Sequence, residues 1–351
     1  MIPTTRFVRT SDGVNIGYIR LGAGSPIVYA SNFRGDVHTY LQHVAMQGGT
    51  DRLAGLGWEV IYHDGRGMGC SDREITDWSL EGRVKDLEAV VSCVRSDRIV
   101  IGGADQGGLA AIAFAARHPE RVSHLVLACP FAKGASRYEL PAVQLALAGV
   151  STALPAWGLF TNVIGGVATQ FGNPELGRQV ADSIRESMTR DGFLAYLAAW
   201  RSMDVTSLLS AVKAPTLVIH DPTFPFGSLD LCREVALGIS DARLIVVNDR
   251  PMSSPGLTET RPAIDGFLRD TSNESPAVQS GSPIAEDGSS LTPRELEVLR
   301  LIAVGHPNKA IAVALSMSDR TVARHVTNIY AKIGTHTRAA ATAYAIRRGL
   351  T

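Results

Sequence analysis

Residues 271–290 read TSNESPAVQSGSPIAEDGSS, and half of these twenty residues are Ser, Gly or Pro, with no basic residue among them. A stretch of that composition cannot bury enough apolar surface to offset its chain entropy, so it reads as a flexible linker. It divides the 351-residue chain into a body, residues 1–270, and a C-terminal block, residues 291–351. The body has the length of one large domain and the block that of one small domain. Hydrophobic residues make up 45% of the chain, which excludes wholesale disorder.

The two parts differ in charge. The whole chain is neutral, with 34 basic and 34 acidic side chains. Residues 291–351 carry nine Lys/Arg and three Asp/Glu, a net charge of +6, which leaves −6 on the other 290 residues. A small basic block on a mildly acidic body points to nucleic acid as the partner of the block. Cys70, Cys93, Cys129 and Cys232 match no zinc or redox spacing. Neither a metal nor a cofactor is therefore expected, and the compartment reads as reducing. The opening MIPTTR lacks the apolar core of a signal peptide, so the expected location is cytoplasmic. The longest charge-free run, Leu140 to Pro174, has 35 residues, but three prolines and five glycines interrupt it. A membrane span is not expected there. An apolar lid over a pocket, or a dimer surface, fits it better.

Within residues 1–270 short apolar runs alternate with helical stretches. Arg6–Thr10 and Val14–Leu21, around a Ser11-Asp12-Gly13 turn, read as a β-hairpin. Pro26–Ala30, Trp58–His63, Arg98–Gly102, His124–Cys129, Pro215–His220 and Arg243–Asn248 read as strands. Helices are expected over Ser79–Arg95 and Leu109–Arg117. The alternation predicts an α/β fold with a mostly parallel sheet.

Ile101-Gly102-Gly103-Ala104-Asp105-Gln106-Gly107-Gly108 follows a strand and opens a helix, and HDGRGMGCSD stands upstream at residues 63–72. The first resembles the nucleophile elbow G-x-Nuc-x-G of the α/β-hydrolase fold, and the second resembles the D-x-R-G-x-G-x-S loop of the same superfamily. The resemblance implies an α/β-hydrolase-like domain over residues 1–270, with a helical cap over about 132–212. It places Asp105 at the nucleophile position. In relatives such as epoxide hydrolases and haloalkane dehalogenases, an aspartate there forms an alkyl ester that histidine-activated water cleaves. That histidine is expected soon after the last strand, yet no histidine occurs between residues 221 and 305. Phe224 stands where the orienting acid is expected. No working catalytic set is therefore expected. The resemblance implies instead a small, largely apolar pocket. Its floor would be Asn32, Phe33, Asp105 and Gln106, and its walls Phe131, Trp157, Phe160, Trp200, Phe224 and Met252. Asp105 has two readings: a carboxylate favoured at a helix N-terminus, or an acceptor for a ligand hydroxyl or amine.

In the basic block, Leu291-Thr292-Pro293-Arg294-Glu295 is a helix start, with Thr292 as cap, Pro293 at the first helical position and Glu295 completing a capping box. A second short helix is expected over Asn308–Leu315, and Ser318 can cap a third. In the third, Val322, Val326, Ile329 and Ile333 form an apolar stripe, while Arg320, Arg324, Thr327 and Ala331 lie on another face. A fourth helix is expected over Arg338–Arg348. Two short helices and a tight turn describe a helix-turn-helix. The segments LTPRELEVLRLIAVG, NKAIAVALSMSDRTVARHVTNIYAKIG and THTRAAATAYAIRRGL resemble the LuxR-type (NarL/GerE-type) DNA-binding domain along its length. The resemblance starts the recognition helix at Ser318–Arg320 and turns Ala323, Arg324 and Thr327 toward base edges. Asn308, Lys309, Thr321, His325 and Lys332 match positions that touch phosphate. Ala323 stands where the family often has lysine, and Pro307 stands where it has a capping residue.

These readings combine into a DNA-binding transcription regulator. It is expected as a homodimer on paired half-sites of double-stranded DNA, with a degenerate hydrolase-like domain that senses a small, largely apolar effector and modulates DNA binding. The alternatives are an active Asp-nucleophile hydrolase joined to a DNA-binding domain, and a dimerisation scaffold that binds no ligand. A tightly packed interior around Asp105 would favour the scaffold.

Overall fold

The computed structural model describes residues 4–32, 37, 53–148, 157–247, 260–270, 293–303, 306, 311–312, 315 and 317–332. The chain divides into two units, Met1–Glu274 and Ser275–Thr351.

In the first unit the apolar runs pair into one eight-stranded sheet. The strands are β1 (Arg6–Arg9), β2 (Asn15–Gly22), β3 (Ser25–Ala30), β4 (Trp58–His63), β5 (Ile99–Ala104), β6 (Val122–Ala128), β7 (Thr216–His220) and β8 (Ala242–Val246). Their order is β1-β2-β4-β3-β5-β6-β7-β8. The hairpin strand β2 is antiparallel to β1 and β4, and every other pairing is parallel. Side chains alternate between faces along a strand. Val28, Ile61, Ile101, Leu125, Leu127 and Val218 therefore enter one buried cluster. Their neighbours Ile27, Val60, Val100, Val126, Leu217 and Ile219 enter another. Apolar residues on both faces explain why the strands read as continuous runs.

Helices α1 (Leu80–Ser92) and α2 (Gly107–Arg117) belong to the first cluster. A helix near the end of the unit, Thr260–Asp270, covers the second with Ile264, Phe267 and Leu268. Ser79 caps α1 by accepting from the Gly82 N–H at 3.2 Å. The helix stops at Ser92, short of the expected Arg95. Bonds from Cys93 N to Val90 O and from Val94 N to Val91 O, 3.1 and 3.0 Å, tighten its last turn.

The cap rises between β6 and β7. It contains α3 (Gly134–Tyr138), α4 (Pro141–Leu147), α5 (Trp157–Ala168), α6 (Pro174–Ser187) and α7 (Arg190–Ser202). The charge-free run supplies α4 and α5, which bury Val143, Ala146, Phe160, Ile164 and Val167. Among the described residues no helix is long and apolar enough to cross a membrane. After β7 come α8 (Leu229–Gly238) and then α9, the Thr260–Asp270 helix.

In the second unit α10 (Pro293–Ala303) and α11 (Asp319–Lys332) share a small core. Val298, Leu299, Ile302, Ile311, Ala312, Val322 and Ile329 form it, with Val326 packed against it. Val322, Val326 and Ile329 of the predicted stripe therefore face inward, and Ile333 lies outside the described residues. The second predicted helix is described only at Ile311, Ala312 and Leu315, and the fourth, at 338–348, lies outside the described residues.

Candidate functional site

The turn from β5 into α2 is a strained elbow. Asp105 sits at its tip with φ +50°, in the left-handed region that side chains other than glycine's rarely occupy. Small residues on both sides make room. A Cβ on Gly103 would meet Ala111 Cβ at 2.8 Å, and one on Gly107 would meet the Ala30 carbonyl at 2.7 Å. The Asp105 N–H is fixed on Ala128 O at 2.9 Å, and its carbonyl accepts from Gly108 N at 3.0 Å. The strand register Ala30↔Gly103 sets the loop beginning at Ser31 beside this turn.

The carboxylate expected to meet a ligand meets Arg137 instead. Arg137 Nε donates to Oδ1 at 2.9 Å, and Nη2 donates to Oδ1 at 2.8 Å and Oδ2 at 2.9 Å. The two side chains are 1% and 3% exposed, so this is a fully buried, forked ion pair. The rings of Phe131 and Phe226 lie 5.6 and 5.5 Å from the guanidinium carbon. Arg137 belongs to α3, which a short β-bridge, Lys133↔Asp204, ties to the end of the cap. Gly134 lets α3 approach α7 that closely, since a Cβ there would lie 1.9 Å from Trp200 O. Charge alone held the clue in the sequence: Arg137 is the last basic residue before the charge-free run.

Asp105 as nucleophile is therefore held in an ion pair, and among the described residues no histidine contact to it is found. His220 Nδ1 lies 3.8 Å from Cys232 Sγ. Burial holds the His220 pKa below its ordinary value and pushes the Cys232 thiol well above its own. The His63 ring bonds the Tyr29 carbonyl, and burial followed by the neighbouring Arg83 charge lowers its pKa to about 4. Among the described residues no cluster of His, Cys, Asp and Glu could hold a metal ion.

The predicted pocket residues fall into three groups. Phe131 and Trp200 pack together at 5.9 Å, and Phe224 stacks edge-on against Phe226, beside Arg137. Trp157 and Phe160 form a separate aromatic group around Phe193 in the cap. Asn32 is half-buried in the loop after β3, and Gln106 is buried beside Asp105. Phe33 and Met252 lie outside the described residues. The D-x-R-G-like loop is architecture. Asp64 accepts from the N–H groups of Val37 and Cys70 at 2.8 Å each. Arg66 bonds Asp86 and Asp12.

In the second unit Ser318 caps the recognition helix, accepting from Thr321 N at 3.1 Å. Arg294 bonds Glu297 and the Leu315 carbonyl, tying α10 to the turn. Arg324 is exposed, while Thr321 and His325 are half-buried. Arg320, Ala323, Thr327 and Lys332 lie along the same helix, α11. Asn308 and Lys309 lie outside the described residues.

Comparison with known proteins agrees with both units. The family described as alpha/beta hydrolase fold matches residues 38–249, and that described as bacterial regulatory proteins, luxR family, matches residues 289–345. The AB hydrolase superfamily protein YisY of Bacillus subtilis is 24% identical over 253 residues, covering 68% of this chain and 89% of that protein. The HTH-type transcriptional regulator Mb0914c of Mycobacterium bovis is 46% identical over 65 residues, 18% of this chain and 7% of its own length. The chain thus spans only a small part of that regulator. Among solved structures, a hydrolase from Pseudomonas aeruginosa superposes with a TM-score of 0.60 at 20% identity, covering 77% of this chain and 99% of its own. An esterase from Exiguobacterium antarcticum superposes with a TM-score of 0.61 at 18% identity, covering 77% and 100%. At those identities the likeness is one of fold.

Proposed function

Because the chain belongs to the alpha/beta hydrolase fold family and carries a DNA-binding domain of the luxR family over residues 289–345, we propose that it is a transcription regulator whose hydrolase-like domain binds a small molecule without converting it. The observation that carries the non-catalytic part of this reading is the Asp105–Arg137 pair, whose packed surroundings also keep the ligand-free scaffold as the second reading. A nucleophile held by a buried guanidinium is poorly placed to attack, and the sequence offers no histidine between residues 221 and 305 to hydrolyse an ester. The fold is kept while the chemistry is withdrawn. Ligand binding would act through different affinities for two states of the domain, and so change how the luxR-family domain holds DNA. A homodimer on paired half-sites is the form such a domain suits, and DNA as partner sets its work in the cytoplasm.

The test is a thermal-shift screen of the full chain against a metabolite library, with each hit weighed by mass spectrometry before and after incubation. The reading predicts at least one stabilising compound recovered unchanged. A hit recovered hydrolysed would establish an enzyme. A library without hits would leave the domain a scaffold.

A further inference from the structure

Arg83 on α1 is 7% exposed, and its guanidinium lies over the Tyr196 ring at 4.6 Å from the centroid. Among the described residues its side chain donates no hydrogen bond and joins no ion pair. Of the acids nearest it in the chain, Glu81 pairs with Arg117, and Asp86 feels the Arg83 charge but takes its hydrogen bonds from Arg66. Asp86 accepts from the Arg66 backbone N–H and Nε at 2.9 Å each, and Asp64 accepts from Val37 and Cys70. A guanidinium has five donors and stays charged, so burying it without an acceptor is costly. Among the described residues nothing supplies that acceptor, and the position suits an anion.

That position is beside the elbow. Arg83 Nη2 lies 3.8 Å from the point where a Cβ would project from Gly65, and Ser31 Oγ lies 3.2 Å from the same point. The Ser31 carbonyl lies 3.0 Å from the corresponding point on Gly107, the residue after Gln106. Among the described residues the buried His63 Nδ1, Gln106 Oε1 and Trp200 Nε1 also have no hydrogen-bond partner. Because the His63 ring already donates to the Tyr29 carbonyl, its Nδ1 is an acceptor. Trp200 stands one helical turn from Tyr196 on the same face of α7. The region thus offers a cation, two acceptors and one donor, walled by the Tyr196 ring and by Trp78, packed edge-on to it at 6.2 Å.

We propose that Arg83 anchors a site for a small hydroxycarboxylic acid. The carboxylate pairs with the guanidinium, the hydroxyl donates to Gln106 Oε1 or His63 Nδ1, and Trp200 Nε1 donates to a remaining ligand oxygen. Asp105 does not compete for Arg83, because Arg137 already holds it. This assignment rests on the sensing reading above and names the chemical class of its effector.

The test uses the full chain and matched pairs of probes: lactate with lactamide, and mandelate with mandelamide, at millimolar concentration. Thermal shift and titration calorimetry are the readouts. At least one of the two acids is expected to bind at least about tenfold more tightly than its amide, the size of one lost charged contact. Arg83→Gln should abolish that preference, and Arg83→Lys should retain part of it. Equal binding of acid and amide, no binding by either acid, or an undiminished preference in a folded Arg83→Gln protein would each overturn the assignment. If Arg83→Gln fails to fold, the acid–amide comparison on the unmodified chain decides. The two readings fail separately. An acid that binds through Arg83 yet leaves DNA affinity unchanged keeps the site and refutes sensing. An amide that binds best and shifts DNA affinity keeps sensing and refutes the anion site.

Discussion

Arg137, on the first helix of the cap, closes on the carboxylate of Asp105 with three hydrogen bonds of 2.8 to 2.9 Å. One residue is the tip of the elbow and the other belongs to the segment above it, so the pair fastens cap to sheet. It also ties up the carboxylate that would otherwise serve as a nucleophile.

A buried pair is costly to break on one side, because the survivor is left charged and without a partner. Arg137→Met should therefore lower stability by about 3–5 kcal/mol. Adding Asp105→Asn to it removes the stranded charge and should recover much of that loss. Urea unfolding of the two single variants and the double variant measures the coupling. Additive effects would mean that the pair is not a unit.

Gly134 is tested by a single methyl group. Its Cβ would lie 1.9 Å from a backbone oxygen, that of Trp200, which cannot swing aside as a side-chain tip could. Gly134→Ala should push α3 off α7 at a cost of about 1–3 kcal/mol, the range for overpacked sites. An unchanged melting temperature would show that α3 has slack.

The sheet was legible because its central strands are buried on both faces and read as apolar runs, Thr216–His220 most plainly. The elbow was legible because only small residues fit around Asp105. The recognition helix showed in the spacing of Val322, Val326 and Ile329. Arg137 was not legible as the partner of Asp105, since 32 residues and a change from sheet to cap separate them. Arg83 was hidden for the opposite reason. It lies on an ordinary-looking helix, and only the folded chain shows that no acceptor among the described residues reaches it.

Acid should weaken the first unit through His63. Burial and the Arg83 charge hold its pKa at about 4, below the ordinary 6.5. The unfolded chain therefore takes up a proton that the native state refuses. The stability present above the unfolded pKa is lost as the pH falls from about 6.5 through about 4, by roughly 3 kcal/mol for this group. His124 and His220 are lowered as well and add to the slope. In His63→Gln the fall in melting temperature across that window should be shallower. An identical slope would remove His63 from the cause.

On the DNA side, Arg324 is exposed on α11, whose opposite stripe is buried. Bidentate contact with guanine is the role its position suits. Arg324→Ala should cost about 1–3 kcal/mol of specific binding and relax base choice at one position. Binding to sequences selected from a random pool, compared at fixed salt, reads both effects. Unchanged affinity and unchanged preference would exclude Arg324 from readout.

The most direct test is the affinity of the full chain for its selected DNA, by fluorescence anisotropy at fixed salt, with and without the compound that stabilises it best. That compound is then recovered and weighed. A Kd shifted by at least about fivefold, the lower end of ordinary coupling, with the compound intact, is the predicted result. An unshifted Kd, or a compound returned as its hydrolysis product, would contradict a sensor built on an idle hydrolase fold.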